Sequence, residues 1–187
     1  MCCKMEVDLR KTRILASNPV IVITTRNPDG SNNAGAFGSY MRVDNNIIIA
    51  IHPESHTFRN IRLRGEFVIN VPGLKDMESV MLAGRSWAEG TDEIAACGLK
   101  AEPSLHVASP TIMDYPACVE CRLIETRSQG SHMLVTGEMT RARCDEAYLD
   151  PAGCFDLVKA GTLHIVRYPQ PVYTVADRYI QGIQTMD

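Results

Sequence analysis

Three short apolar blocks set the fold class: VIVI (20–23), IIIAI (47–51) and FVINV (67–71) each place apolar side chains at consecutive positions. Blocks this short and this rich in β-branched residues favour strands over buried helices. Successive side chains on a strand point to opposite faces, so both faces of each block need cover. Turn residues separate the blocks: Asn27-Pro28-Asp29-Gly30, then Asp44-Asn45-Asn46. Strands over 18–26, 31–43 and 47–52 are therefore expected to form a meander with short connections.

The stretch HPESHTFRNIRLRG (52–65) interrupts this pattern. Ser55 or His56 suits an N-cap, Phe58 and Ile61 make a buried stripe three apart, and Gly65 suits a stop. A short helix is expected there, followed by a strand over 66–71 ended by Pro72. Downstream, Leu74, Met77, Val80 and Met81 follow a helical period over 74–85, and residues 91–98 read as a short capped helix. Residues 118–127 and 132–144 read as a long hairpin across Ser-Gln-Gly-Ser, and 162–168 as a last strand. Six or seven short strands with a few peripheral helices make the fold class mainly β, a small β-barrel. The helices are too few to cover every doubly apolar strand, so a homodimer is expected.

A chain of 187 residues suits one domain over 1–187, with roughly the first 12 residues as an N-terminal arm. The net charge of −3 calls for neither nucleic acid nor an acidic membrane surface. No apolar run reaches the length of a membrane span, and the start has no signal-peptide core, so a cytoplasmic location is expected. The seven cysteines then read as reduced thiols. Cys118 and Cys121 form a CxxC, but on a strand they face opposite sides, which suits small buried residues better than a redox pair.

The chemical signals differ in strength. Gly35 and Gly38 lack the third glycine and the strand-to-helix context of a dinucleotide fingerprint. They suit a bulge or a flat ligand lying on the backbone equally well. His52 and His56 are separated by Pro53, no HExxH is present, and no metal is expected. No GxSxG points to a hydrolase serine. The start of the 56–64 helix offers unpaired N–H groups, the Thr57 hydroxyl and the His56 ring, with Arg59, Arg62 and Arg64 nearby. That could hold a phosphate; spacing alone favours a capped surface helix with solvated arginines.

Three segments together carry a resemblance: NPVIVITTRNPDG, NNAGAFGSY and HTFRNIRLRGEFVINVP. With Pro19, Thr24, Thr25, Asp29, Gly30, Asn32 or Asn33, Ala34, Thr57, Asn60, Ile61, Glu66, Phe67, Val68 and Asn70, the chain resembles the flavin reductase-like family of flavoredoxin-type proteins. The likeness is close over 18–72 and continues weakly through VECRL and GSHMLVTGEM. The resemblance implies a Greek-key-like split β-barrel binding FMN, with FAD the alternative, and NAD(P)H as transient reductant. It implies that Asn33, Ala34, Gly35, Ala36, Phe37, Gly38 and Ser39 present a close backbone to the flavin. His52, His56, Thr57 and Asn60 complete the cofactor set, His56 and Thr57 serving the phosphate. His132 falls on the nicotinamide or substrate side as the catalytic candidate. The flavin would lie near the dimer interface, and the electron acceptor would be a small molecule or a protein.

There are departures. Ala34, Gly35 and Ala36 stand where many members carry Ser or Thr, Asn45-Asn46 replaces Pro-Pro, and Gly130-Ser131-His132 replaces Gly-Asp-His. HIVRYPQPVY replaces the closing Gly-Gly-Tyr strand. The expected activity is NAD(P)H-dependent flavin reduction or electron transfer. The alternatives are a flavin-binding electron carrier without its own nicotinamide site and a non-catalytic split-barrel binding protein.

Overall fold

A computed structural model describes residues 19–167 and 171–178; the N-terminal arm, Cys2 and Cys3 lie outside them. The first strands are β1 (Ile21–Arg26), β2 (Asn32–Phe37), β3 (Tyr40–Val43) and β4 (Asn46–Ile51). Then come α1 (His56–Arg64), β5 (Glu66–Val71), α2 (Met77–Ala83) and α3 (Glu93–Ala96). Two short strands follow, β6 (Ala101–Glu102) and β7 (Thr111–Ile112), before the long β8 (Ala117–Gln129) and β9 (His132–Cys144). The described part ends with α4 (Leu157–Ala160), β10 (Leu163–Arg167) and β11 (Val172–Val175).

Seven strands make one curled antiparallel sheet in the order β2-β1-β5-β8-β9-β4-β3. This is the mainly β barrel that the sequence pattern predicts, in the split form that the family resemblance implies. Local chemistry explains its connections. Asp29 accepts from the Ser31 N–H at 2.9 Å and Gly30 takes φ +88° in the β1–β2 turn. Ser55 caps α1 by accepting from the Phe58 N–H, and Gly65 ends it at φ +71°. Gly130 supplies φ +58° at the tip of the β8–β9 hairpin.

β1 and β5 bury both faces because the sheet is packed on two sides there, whereas β4 buries Ile47, Ile49 and Ile51 and leaves Ile48 and Ala50 half-buried. Inside the curl, Ile21, Ile23, Ile47, Ile49, Ile51, Phe67 and Ile69 pack with Phe58 and Ile61 of α1. On the outer face of β1 and β2, Val20, Val22 and Ala34 pack with Val80, Ala83, Ile94 and Leu163. Cys121 belongs to the inner core, whereas Cys118 packs outside with Val68 and Val107. Burial pushes the Cys121 thiol up, as befits an inert packing residue.

Three expectations need correction. The strand read over 31–43 is two, broken at Gly38-Ser39, because β2 and β3 form opposite ends of the sheet. Leu74 and Met81, read on one helical period with Met77 and Val80, are 56% and 48% exposed. A 3-10 turn over Leu74–Asp76 takes Leu74 off the helical phase, and within α2 Val80 and Ala83 face the core while Met81 lies at its exposed border. The last strand is not alone: β10 pairs with β11 in a separate sheet, joined to the barrel through Val20 N–H to Leu163 O at 2.6 Å.

A loop over 104–110 is clamped to the barrel by two carboxylates. Glu66 accepts the N–H groups of Ala108 and Ser109, at 2.7 and 2.9 Å. Glu120, fully buried, accepts the His106 N–H at 2.6 Å, the Leu105 N–H at 3.1 Å and Arg141 Nη1 at 2.9 Å. Burial alone would raise the Glu120 carboxyl, but the His106 N–H, Arg141 and the Leu105 N–H together hold it below its ordinary 4.5. A depressed folded value contributes stability above pH 4.5 that is lost as pH falls through the folded value. Glu120→Gln is expected to cost ~1–3 kcal/mol at neutral pH. It should also flatten the acid limb of the stability profile, measured by urea unfolding from pH 7 to 3. Parallel acid limbs in the two proteins would assign that loss to other carboxylates.

Candidate functional site

β2 is an edge strand, and its outer border forms one wall of a cleft of about 380 Å³. Asn33 to Phe37 line that wall, His56 and Thr57 of α1 close one side, and Ala83 to Trp87 after α2 form the other. A second cleft of about 270 Å³, walled by Val20, Val80, Ile165 and Tyr173, shares Ala36, Phe37 and Gly84 with the first. One continuous wall therefore runs from a polar end at α1 to an apolar end at β10–β11.

A buried polar network holds the polar end. Glu93, 4% exposed, accepts from Asn33 Nδ2 at 2.7 Å and from the Ala34 N–H at 2.9 Å. His56 Nδ1 lies 3.2 Å from the same carboxylate, which selects the tautomer or charge state with a proton on Nδ1. Asn33 Oδ1 accepts from both the Thr25 and Thr57 hydroxyls at 2.9 Å. Asn60 Nδ2 donates to Thr25 Oγ1 at 3.0 Å and to Asn27 Oδ1 at 2.7 Å. Below Glu93, burial and then its charge push the Cys97 thiol up to about 11.

Main-chain groups of β2 divide by parity. The Ala34 N–H points to the free edge, where Glu93 takes it, so the N–H and C=O of Ala36 point the same way. Gly35 must remain glycine: a Cβ there would lie 2.8 Å from Thr57 Oγ1 and 2.8 Å from the Phe37 ring. At the mouth of α1, Phe58 N–H and Arg59 N–H are held by Ser55, whereas those of His56 and Thr57 have no intrahelical partner. Arg85, exposed on the opposite wall, makes no ion pair among the described residues.

Eight of the sequence-predicted residues meet in the first cleft: Asn33, Ala34, Gly35, Ala36, Phe37, His52, His56 and Thr57. Gly38 lines the apolar cleft instead, and Ser39 is exposed outside both. Asn60 points away from this cleft, into the network with Thr25 and Asn27. The Thr57 hydroxyl proton is directed at Asn33, which leaves the backbone N–H as the donor this residue offers the cleft. His132 is exposed at the hairpin end, its ring edge-on to His52 at 5.9 Å, so it borders the cleft through His52. Glu93, Arg85 and Trp87 were missed. The sequence marks a short capped helix at 91–98, which Asp92 caps, but nothing local aims Glu93 at a strand 60 residues earlier. Among the described residues no cluster of three metal-ligating side chains occurs.

The donor set suits an anionic, partly aromatic ligand with a polar tail. Among the described residues the polar end offers helix N–H groups without intrahelical partners and a guanidinium without an ion pair, and the apolar end a wall of small and aromatic side chains. Comparison with known proteins agrees in fold. An uncharacterized protein of Methanothermobacter thermautotrophicus is 29% identical over 183 residues, covering 92% of this chain and 86% of that one. Flavoredoxin of Desulfovibrio vulgaris superposes with a TM-score of 0.84 at 24% identity, over 95% of this chain and 97% of that one. An FMN-binding protein from Thermus thermophilus superposes with a TM-score of 0.78 at 17% identity, over 97% and 99% of the two chains. The sequence profile described as the Flavin reductase like domain matches residues 14–159, and the chain belongs to that family.

Proposed function

We propose that this protein is an FMN-binding oxidoreductase reduced by NAD(P)H. The observation that carries this reading is the shared wall of Ala36, Phe37 and Gly84, which joins a polar cleft to an apolar one. A flavin mononucleotide has the same polarity pattern, an apolar ring system joined through a polyol to a phosphate. The N–H groups of His56 and Thr57 with Arg85 would hold the phosphate. The edge-facing N–H and C=O of Ala36 would meet the polar rim of the ring. Bound flavin would supply the two-electron chemistry.

The chain's own residues position and shield. Glu93 fixes Asn33, the Ala34 N–H and His56 as one unit. His132, held against His52 at the cleft border, would orient the incoming reductant. A second copy is proposed to cover the outer face of β3, β4 and β9, where Met41 is 55% exposed and the helices pack chiefly on β1, β2 and β5. A cytoplasmic location and an electron acceptor that is a small molecule or a protein belong to the same proposal.

The test is anaerobic mixing of FMN-loaded protein with NADH or NADPH, following flavin absorbance. Wild type is expected to bleach. His132→Ala should bleach more slowly, by the ~1–2 kcal/mol of an ordinary hydrogen bond, with flavin content unchanged. Bound flavin that neither nicotinamide reduces would support a flavin-binding electron carrier. Protein that takes up no flavin would sink the reading.

A further inference from the structure

We infer that Met81 is a peroxide-sensitive residue of the apolar cleft, and that its conversion to the sulfoxide closes this cleft to flavin. This rests on the reading of the two joined clefts as a flavin site. Met81 is on α2, 48% exposed, and lines the apolar cleft with Ala36, Phe37, Gly84, Ile165 and Tyr173. A thioether is a soft apolar group that suits such a wall, and its exposure leaves it open to small oxidants. Exposure alone does not single it out, since Met113 is 54% exposed and lines neither of the two clefts. What distinguishes Met81 is its surroundings. A Cβ on Gly84 would stand 4.0 Å from that of Ala36, so α2 and β2 nearly touch where the clefts join. Met81 lies one turn before Gly84, and the other side chains of its cleft carry no polar group except the Tyr173 hydroxyl.

The oxidant is hydrogen peroxide. Dioxygen takes two electrons from a reduced flavin and leaves as hydrogen peroxide, so the proposed function itself supplies it. The Met81 sulfur attacks one peroxide oxygen. An S–O bond forms as the O–O bond breaks, the sulfur loses two electrons, and the released hydroxide takes the remaining proton and leaves as water. The product is a polar S=O group where the ring system of the flavin would lie. Covering it with an apolar ring removes its water without returning a hydrogen bond. Val80, the preceding residue, is 1% exposed in the outer core, so α2 is anchored independently of the Met81 side chain. The fold therefore survives the modification, and the loss falls on the cleft.

The full chain is treated with hydrogen peroxide in its flavin-stripped and FMN-loaded forms. Oxidation at each methionine is read by peptide mass, and FMN is titrated into the treated, stripped protein. Bound FMN should protect Met81 and leave the oxidation of Met113 unchanged. Oxidised wild type should bind FMN about tenfold or more weakly than untreated protein. Reductases for the two sulfoxide epimers should restore the affinity. Met81→Leu under the same treatment should keep the affinity it had before, which separates Met81 from the exposed thiol of Cys154, common to both proteins. Equal oxidation of Met81 with and without FMN overturns the inference. So does an FMN affinity that peroxide leaves unchanged, or lowers as much in Met81→Leu as in wild type. Failure of untreated wild type to bind FMN overturns the flavin reading, and this inference with it.

Discussion

Asn70→Ala is expected to cost about 3–5 kcal/mol of folding stability, among the largest single losses this chain can show outside its apolar core. Asn70 is fully buried on β5 and joins three segments. Its Nδ2 donates to Val22 O and Thr24 Oγ1, each at 3.1 Å, and its Oδ1 accepts the Ile112 N–H at 2.8 Å. Truncation leaves the Ile112 N–H, on a residue 1% exposed, without a partner. An unsatisfied buried group costs ~1–3 kcal/mol, and the vacated space adds a cavity term. Thr24 also donates to Pro110 O, so the loss reaches the 104–110 loop. Asn70→Asp should be no milder: it keeps the acceptor for Ile112 but puts a charge where two donors stood. Urea unfolding at neutral pH measures both. A loss under about 1 kcal/mol for Asn70→Ala would mean that water replaces the amide.

This amide also shows where reading the sequence stops. Asn70 is recognisable as part of the Glu-Phe-Val-Ile-Asn motif, but the motif does not separate a residue that binds ligand from one that binds backbone. Asn60 illustrates the same ambiguity, since its amide closes on Thr25 and Asn27 rather than on the β2 cleft. What the sequence displays well is local. The cap at Ser55, the stop at Gly65 and the Gly130 turn are short-range geometry, and all three stand where their residue types demand. The exposed Leu74 shows the limit of periodicity, because a single 3-10 turn takes it off the phase of the helix that follows. β11 escaped notice because its four residues alternate between exposed and half-buried, without an apolar run.

The candidate site was half legible for the same reason. The small residues of β2 announce a close approach, and Gly35 has one, with Thr57 and Phe37 as the neighbours a Cβ would strike. The residues facing them arrive from elements far along the chain. Arg85 and Trp87 sit in an irregular loop after α2, and Glu93 on a single-turn helix. Such residues are placed by tertiary packing, and neither period nor spacing marks them.

Glu93 should accordingly prove the site's most sensitive residue. Three donors converge on a carboxylate only 4% exposed: Asn33 Nδ2, the Ala34 N–H and His56 Nδ1. Glu93→Leu is expected to lose about 3–5 kcal/mol of stability, since it strands the buried Asn33 and Ala34 donors and the His56 ring together. Glu93→Gln keeps the shape and loses about 1–3 kcal/mol, because an amide NH₂ must then face one of those donors. The glutamine variant carries the functional test, since it should still fold. Asn33, Ala34 and His56 all line the β2 cleft, so loosening them should lower FMN affinity by about tenfold or more. Asn32→Ala provides the comparison. Its amide is bonded to the neighbouring Asp92 at 2.7 Å, and Asn32 does not line that cleft. If it matches Glu93→Gln in lost stability while retaining flavin, the affinity loss belongs to Glu93 and its partners. Equal flavin loss in both variants would make it a consequence of weaker α3 packing.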